Sequence, residues 1–299
     1  MPRRCDVKVL IATDGSAGAE EAAWLLAHLP HRDTLDVLVL SVVPDYGVHG
    51  SVEVVEWMKA AIEAERKRAE EATQRIAQMF DGADAHVETL AREGHVSKTI
   101  LEEAAARGTE LIVIGAKGHS ALERVLLGSV SDSVATHAHC SVLVVRPTGL
   151  KDREHDTLRL CLAFDDSEPS RFAIKQISEF KWRENTQVDV VSVLQLPMAY
   201  TDVPFDFDLN EMREALKQKV DQVIEQLSPV VGQARGHVLD AVHVGNALTQ
   251  FAEENQIDLM VMGDTGKNLL ERFLMGSASR YVLRHAHTSV WIARRPQTS

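Results

Sequence analysis

The chain is short of cysteine, of positive charge and of long apolar runs, and each shortage closes off a class of function. Cysteine occurs only at Cys5, Cys140 and Cys161, with no C-x-x-C spacing. A disulfide framework is therefore not expected, and buried thiols in a reducing compartment are. Lys and Arg total 32 against 44 Asp and Glu, a formal net charge of −12, which opposes nonspecific attraction to nucleic acid or to an anionic membrane. No apolar stretch approaches the roughly 20 residues that a membrane helix needs. Met1-Pro2-Arg3-Arg4 runs straight into a strand rather than into a secretory apolar segment. The expected location is the cytoplasm, and the expected partners are small molecules or proteins. Familiar nucleotide signatures are missing too. There is no G-x4-G-K-[ST], which removes the P-loop NTPases, no S-G-G-x-D-S as in ATP pyrophosphatases, and no H-I-G-H-like pair for nucleotidyl transfer.

What is present is a repeat. Gly115, Gly118 and Gly128 followed by Ser129 recur as Gly263, Gly266 and Gly276 followed by Ser277, so the spacing G-x2-G-x9-G-S occurs twice, 148 residues apart. Each copy follows a short apolar run, Leu111–Ile114 or Leu259–Met262, that reads as a buried strand ending on the first glycine. Solenoid repeats have periods of roughly 20 to 50 residues, so a period this long means duplicated domains. The 299 residues leave room for two domains of about 150 each. We place them at 1–149 and 157–297, with the charged, aperiodic stretch 150–156 as linker.

Around the repeat, strands alternate with helices, which predicts parallel sheets covered on both faces. In the first half the apolar patterning predicts strands at Val7–Ala12, Leu35–Val43, Ala85–Ala91, Leu111–Ile114 and Ser141–Val145, with helices at Ala19–Leu29, Glu53–Met79, Lys98–Ala106 and Val130–His137. The second half repeats this order, with strands at Leu158–Ala163, Val188–Leu194, Leu239–Val244, Leu259–Met262 and Ser289–Ala293 and a long helix at Leu209–Leu227.

A strand feeding a glycine loop is where α/β folds bind phosphate. Gly115 and Gly118 let the backbone turn and approach a ligand, and the helix opening at Gly128-Ser129-Val130-Ser131 offers unpaired amides and two hydroxyl donors. Each exposed dipole contact contributes only about 0.3–1 kcal/mol, whereas micromolar binding requires about 8 kcal/mol. Several such groups must therefore act together. The alternative is that these glycines only form a tight turn and a helix start.

Together with Ala12-Thr13-Asp14-Gly15-Ser16 and the closing Cys140-Ser141-Val142-Leu143-Val144-Val145-Arg146-Pro147, the motif resembles the universal stress protein family in its tandem form. The resemblance spans both halves. It implies two Rossmann-like domains of the adenine nucleotide α-hydrolase-like class, each a five-stranded parallel sheet of order 3-2-1-4-5 flanked by helices. It also implies an ATP-binding regulatory or stress-response module, with AMP or another adenylate as alternative ligands and Mg as an optional companion. On that resemblance Asp14 contacts the adenosine part, backbone near Val42 brackets adenine, and Gly115, Gly118, Gly128, Ser129 and Ser131 hold ribose and phosphates. Ala12, Thr13, Ile114 and Val130 flank them, and Lys117 either faces the phosphates or lies exposed. The counterparts in the second half are Asp165, Val193, Gly263, Gly266, Gly276, Ser277 and Ser279.

The second copy differs in charge. Thr265 stands where the first copy has Lys117, Phe164 stands where it has Thr13, and Asp166 and Asp264 add negative charge. The acidic segment Thr201–Asp208 lies close enough in sequence to fold over the site. Weaker anion binding is expected there. The pairs His137/His139 and His285/His287 fall at helix carboxyl ends, where a cation complements the dipole. Zinc ligation with Cys140 is the alternative for the first pair. The same histidine pairs are the best candidates for a catalytic base or nucleophile, and no other obvious base is present. A slow ATPase or phosphotransferase dependent on Asp14 or Ser129, and an interaction scaffold without nucleotide, remain the competing readings. Finally, an apolar strand five at a sheet edge invites pairing, so Ser141–Val145 is expected to pair with Ser289–Ala293 as an intrachain pseudo-dimer. Association of two chains into a homodimer is left open.

Overall fold

A computed structural model describes residues 7–45, 52–118, 127–152, 158–182, 186–196, 208–265 and 275–296. The chain divides into two compact units, the first reaching Arg146 and the second running from Pro147 to Arg295. The first contains β1 (Val7–Thr13), α1 (Ala17–His28), β2 (Leu35–Pro44), α2 (Val52–Gln78), β3 (Ala85–Gly94), α3 (Val96–Arg107), β4 (Leu111–Gly115), α4 (Ser129–His137) and β5 (Ser141–Val145). Its strands lie in the order β3-β2-β1-β4-β5, every neighbouring pair parallel. The second contains β6 (Arg159–Ala163), α5 (Glu168–Ser178), β7 (Gln187–Gln195), α6 (Leu209–Leu227), β8 (Gln233–Ala241), α7 (Val244–Glu254), β9 (Leu259–Gly263), α8 (Ser277–His285) and β10 (Ser289–Ala293). Its order is β8-β7-β6-β9-β10, again parallel throughout. Both sheets have the expected 3-2-1-4-5 order.

The central strands read as continuous apolar runs because helices cover both faces. Leu10, Ile11, Ile112 and Leu143 in the first unit, and Leu160, Leu162 and Leu259 in the second, are fully buried. Ser16 and Ser167 start α1 and α5 by accepting from the amides of Ala19 and Ser170 at 3.3 Å each, which satisfies one orphan donor of each helix. The carboxyl ends of the first, second and fourth strands of each sheet thus face the start of the helix after strand four. That geometry positions the sites.

One strand differs from expectation. The third strand of the second unit is Gln233–Ala241, not Leu239–Val244, and Val244 opens α7. The cause is its position at the sheet edge: none of its residues is fully buried, so the apolar cluster further along gave the stronger but misplaced signal. Part of the expected linker forms a short 3-10 turn at Leu150–Asp152, and residues 153–157 lie outside the described residues. Cys140 and Cys161 are buried thiols; Cys5 is outside the described residues. Burial, reinforced by the nearby Asp189 carboxylate, pushes the Cys161 thiol far above its ordinary pKa, so it is unreactive at neutral pH. No helix among the described residues is long and apolar enough to cross a membrane.

Candidate functional site

In the first unit a cavity of about 780 Å³ opens at the carboxyl ends of β1, β2 and β4. It brings together all twelve residues expected there: Ala12, Thr13, Asp14, Val42, Ile114, Gly115, Lys117, Gly118, Gly128, Ser129, Val130 and Ser131. The loop after β1 is shaped by side chains folding back on it. Asp14 Oδ1 accepts from the Ser16 amide at 3.0 Å and Thr13 Oγ1 from the Gly15 amide at 3.0 Å, with Gly15 at φ 76°. The other Asp14 oxygen faces Gly118 closely enough that a Cβ there would sit 2.2 Å from Oδ2. Gly118 is thus a glycine of close approach, required by the neighbouring carboxylate.

Gly115 has a different role from the one expected of it. A Cβ on Gly115 would lie 2.8 Å from both the carbonyl carbon and the oxygen of Gly18. Its missing side chain lets β4 pack against the start of α1, a packing requirement of the fold. Gly263 repeats this, with Pro169 Cβ at 2.6 Å from the corresponding position.

The hydroxyls also divide. Ser131 Oγ donates to the Gly115 carbonyl at 2.7 Å, and Ser279 Oγ donates to the Gly263 carbonyl at 2.8 Å. Both residues are buried and each hydroxyl donates its proton to the fold rather than toward the cavity. Ser129 and Ser277 remain candidates for the ligand donors expected from the sequence, at the first turns of α4 and α8, in cavities of their own units. Ser131→Ala should lower stability by about 1–3 kcal/mol because it leaves a buried carbonyl unpaired, while changing the affinity of a ligand of this cavity less than about threefold. A thermal melt and a titration of the same variant separate the two effects, and a large affinity loss with unchanged melting would assign Ser131 to the ligand.

Lys117 carries the strongest electrostatic signal. Its Nζ lies out of solvent with no hydrogen-bond partner among the described residues, and the side chain lines the cavity. A buried ammonium without partners is costly, and an anion in the cavity relieves that cost. The sequence did not disclose the wall that α2 contributes, including Arg68 and Arg75. The charges of α2 recur along its whole length, and periodicity alone does not say which of them turn inward.

The second unit has a larger cavity, about 1190 Å³, at the equivalent sheet end. Asp165, Val193, Gly263, Gly276, Ser277 and Ser279 line it, while Gly266 and residues 201–207 of the acidic segment lie outside the described residues. Asp208 instead caps α6, accepting from the Asn210 and Glu211 amides at 2.9 and 3.2 Å. Asp165 Oδ1 accepts from the Ser167 amide at 3.0 Å, as Asp14 does from Ser16.

The negative charge that Asp166 and Asp264 bring to this unit is balanced by their partners. Asp264 pairs with Arg294 at 2.8 Å. Asp166, at φ 63° where the first unit has Gly15, pairs with Arg171 at 2.6 Å and Lys219 at 2.8 Å. Hydrogen bonding to Lys219 and then to Arg171, opposed by partial burial, holds the Asp166 carboxyl at about 2 against an ordinary 3.8. A folded-state pKa below the unfolded one adds stability that is present above the ordinary value and lost as pH falls through the lower one. Stability of the second unit should therefore decline between about pH 4 and pH 2, and Asp166→Asn should flatten that limb of an acid denaturation curve; an unaltered curve would dissociate Asp166 from acid stability.

The histidine pairs bear on metal binding. His137 Nδ1 lies 2.8 Å from the Ser133 carbonyl and His285 Nδ1 2.8 Å from the Tyr281 carbonyl, so each bonds the carbonyl one turn back at its helix end. Among the described residues no group of three or more His, Cys, Asp or Glu side chains is arranged to hold a metal.

Comparison with known proteins agrees with this architecture. The profile of the Universal stress protein family matches residues 7–146 and again 157–294. A universal stress protein of Mycolicibacterium smegmatis is 25% identical over 303 residues, covering 96% of each chain. One from Methanocaldococcus jannaschii is 35% identical over 146 residues, 46% of this chain and 81% of its own length. Among solved structures, a universal stress protein from Archaeoglobus fulgidus superposes with a TM-score of 0.59 at 19% identity, covering 96% of this chain and 98% of the other, which supports the same fold. With the repeated sheet order, the doubled glycine loop and a family match in each half, the chain belongs to the universal stress protein family, in its tandem form.

Proposed function

We propose that the first unit binds an adenine nucleotide, ATP ahead of AMP, and that the protein acts as a nucleotide-responsive regulatory module. The observation that carries this reading is the buried Lys117 ammonium, without a hydrogen-bond partner among the described residues, in the same cavity as Asp14, Gly118 and the opening turn of α4. A cavity of about 780 Å³ is of the size that encloses a small organic ligand. Asp14 Oδ2 is the acceptor for ribose hydroxyls, backbone near Val42 borders the base, and Lys117, Ser129 and the first amides of α4 meet phosphate oxygens. Gly128, the residue before α4, supplies no side-chain cap, so those amides keep their hydrogen-bonding capacity for the ligand. Mg would accompany the nucleotide through phosphate oxygens and water, as is usual for this ion.

The test pairs a charge deletion with two ligands. Lys117→Met should weaken ATP by roughly tenfold to a hundredfold, the range for a lost charge-assisted hydrogen bond, and leave adenosine unchanged. Equal losses for both would place Lys117 outside the phosphate region. Mass spectrometry of the material released on denaturing freshly purified protein should show an adenylate. Pairing of the two strand-five edges and homodimer formation stay within this proposal on the sequence pattern, and sedimentation analysis at several concentrations tests the latter.

A further inference from the structure

The second cavity differs from the first along one wall, and three residue differences at a common offset produce it. Where the first unit has Ser97, Lys98 and Ser133, the second has Gly245, Asn246 and Tyr281, each 148 positions on. Gly245, Asn246 and Tyr281 all line the second cavity, whereas none of their first-unit counterparts lines the first. The three depend on one another. A Cβ on Gly245 would lie 2.8 Å from Cβ and Cδ1 of Tyr281, so the glycine is what lets the aromatic ring occupy this corner. The Tyr281 hydroxyl donates to Asn246 Oδ1 at 3.2 Å, and the ring stacks on His285 with centroids 4.2 Å apart. Positions that stay outside the first cavity thus give the second an ordered aromatic corner.

The rest of this wall points the same way. Among the described residues the large exposed apolar side chains are Trp57, Leu209, Met212, Val242 and Tyr281; Met212, Val242 and Tyr281 border this cavity. Lys219 is the only lysine or arginine among its described lining residues, and its ammonium is held by Asp166 at 2.8 Å. Thr265 takes the place of Lys117, and its hydroxyl donates to Asp264 at 3.2 Å. Ser277 and Tyr281 are four apart on α8 and therefore share a face. A group that passes the α8 amino terminus, where the first unit would place phosphates, meets the tyrosine ring.

We infer that the second unit binds an adenine nucleoside whose 5′ substituent is uncharged and apolar, seated against Tyr281, Met212 and Val242. This rests on the adenylate reading above for the nucleoside part. The two units then divide ligands by the 5′ group, a polyphosphate for the first and an apolar thioether or aryl group for the second. Recognition comes from Asp165 at the ribose, backbone near Val193 at the base, and the aromatic corner at the 5′ end.

The probe is 5′-deoxy-5′-(benzylthio)adenosine, titrated by calorimetry into the full chain already saturated with ATP so that the first site is filled. One thioether should bind per chain. Tyr281→Ala should weaken it by about tenfold or more, through lost burial and ring contact. Tyr281→Phe should stay within about threefold of wild type, and ATP binding should be unchanged in both variants. The inference is overturned if ATP saturation blocks the thioether, if the thioether binds no tighter than adenosine, or if Tyr281→Ala leaves its affinity intact. Failure of ATP, adenosine and the thioether alike would overturn the adenylate reading as well, whereas ATP binding without thioether binding overturns this inference alone.

Discussion

Gly118→Val should abolish ATP binding to the first unit, lowering affinity at least about a hundredfold through loss of charge-assisted contacts at Asp14 and of the loop geometry. The reason is geometric. A Cβ on Gly118 would fall 2.2 Å from Asp14 Oδ2, so either the carboxylate or the loop must move, and both belong to the proposed site. Asp14 is exposed and Gly118 follows the end of β4, so little of the core is disturbed. The melting temperature should stay within about 2 °C of wild type, as expected of surface changes near neutral in stability. Retained ATP affinity in a folded Gly118→Val chain would mean that Asp14 and the glycine loop do not cooperate in binding.

The second large effect separates folding from binding within the same motif. Gly115→Ala adds one methyl group that would meet the backbone carbonyl of Gly18 at 2.8 Å. Backbone at a strand–helix contact cannot rotate away as a side-chain tip can, so β4 and α1 must separate. Overpacking of this kind costs about 1–3 kcal/mol, which lowers the melting temperature of a unit this size by several degrees, at about 2–4 °C per kcal/mol. ATP affinity at a temperature where the variant remains folded should fall far less than in Gly118→Val. A Gly115→Ala chain as stable as wild type would show that the strand and helix have slack that the present packing does not suggest.

These contrasting expectations show where sequence reading was sufficient. The strands and their parallel arrangement followed from apolar runs and glycine spacing, because buried central strands leave a period that neighbours cannot mask, whereas the strand order and the residues of the first cavity followed from the family resemblance. The edge strand β8 was misplaced because its residues are half-exposed and carry little such period. Spacing identified Gly115 and Gly118 as a pair but could not distinguish them: one abuts a helix start and the other a carboxylate, a matter of tertiary contact. Serine hydroxyls near a helix amino terminus looked like ligand donors, yet Ser131 and Ser279 donate to carbonyls sixteen residues back in sequence. Charge was the least transferable signal. Asp166 and Asp264 looked repulsive until their partners Lys219, Arg171 and Arg294 were in place. The difference between the units survives on other grounds, the buried Lys117 of the first and the Tyr281 corner of the second.

The most direct test of the account is calorimetric titration of the full chain with ATP, wild type beside Gly118→Val. One ATP per wild-type chain, with the heat lost in the variant, is the predicted result. No binding to the wild type, two equivalent ATP per chain, or affinity undiminished in Gly118→Val would contradict it.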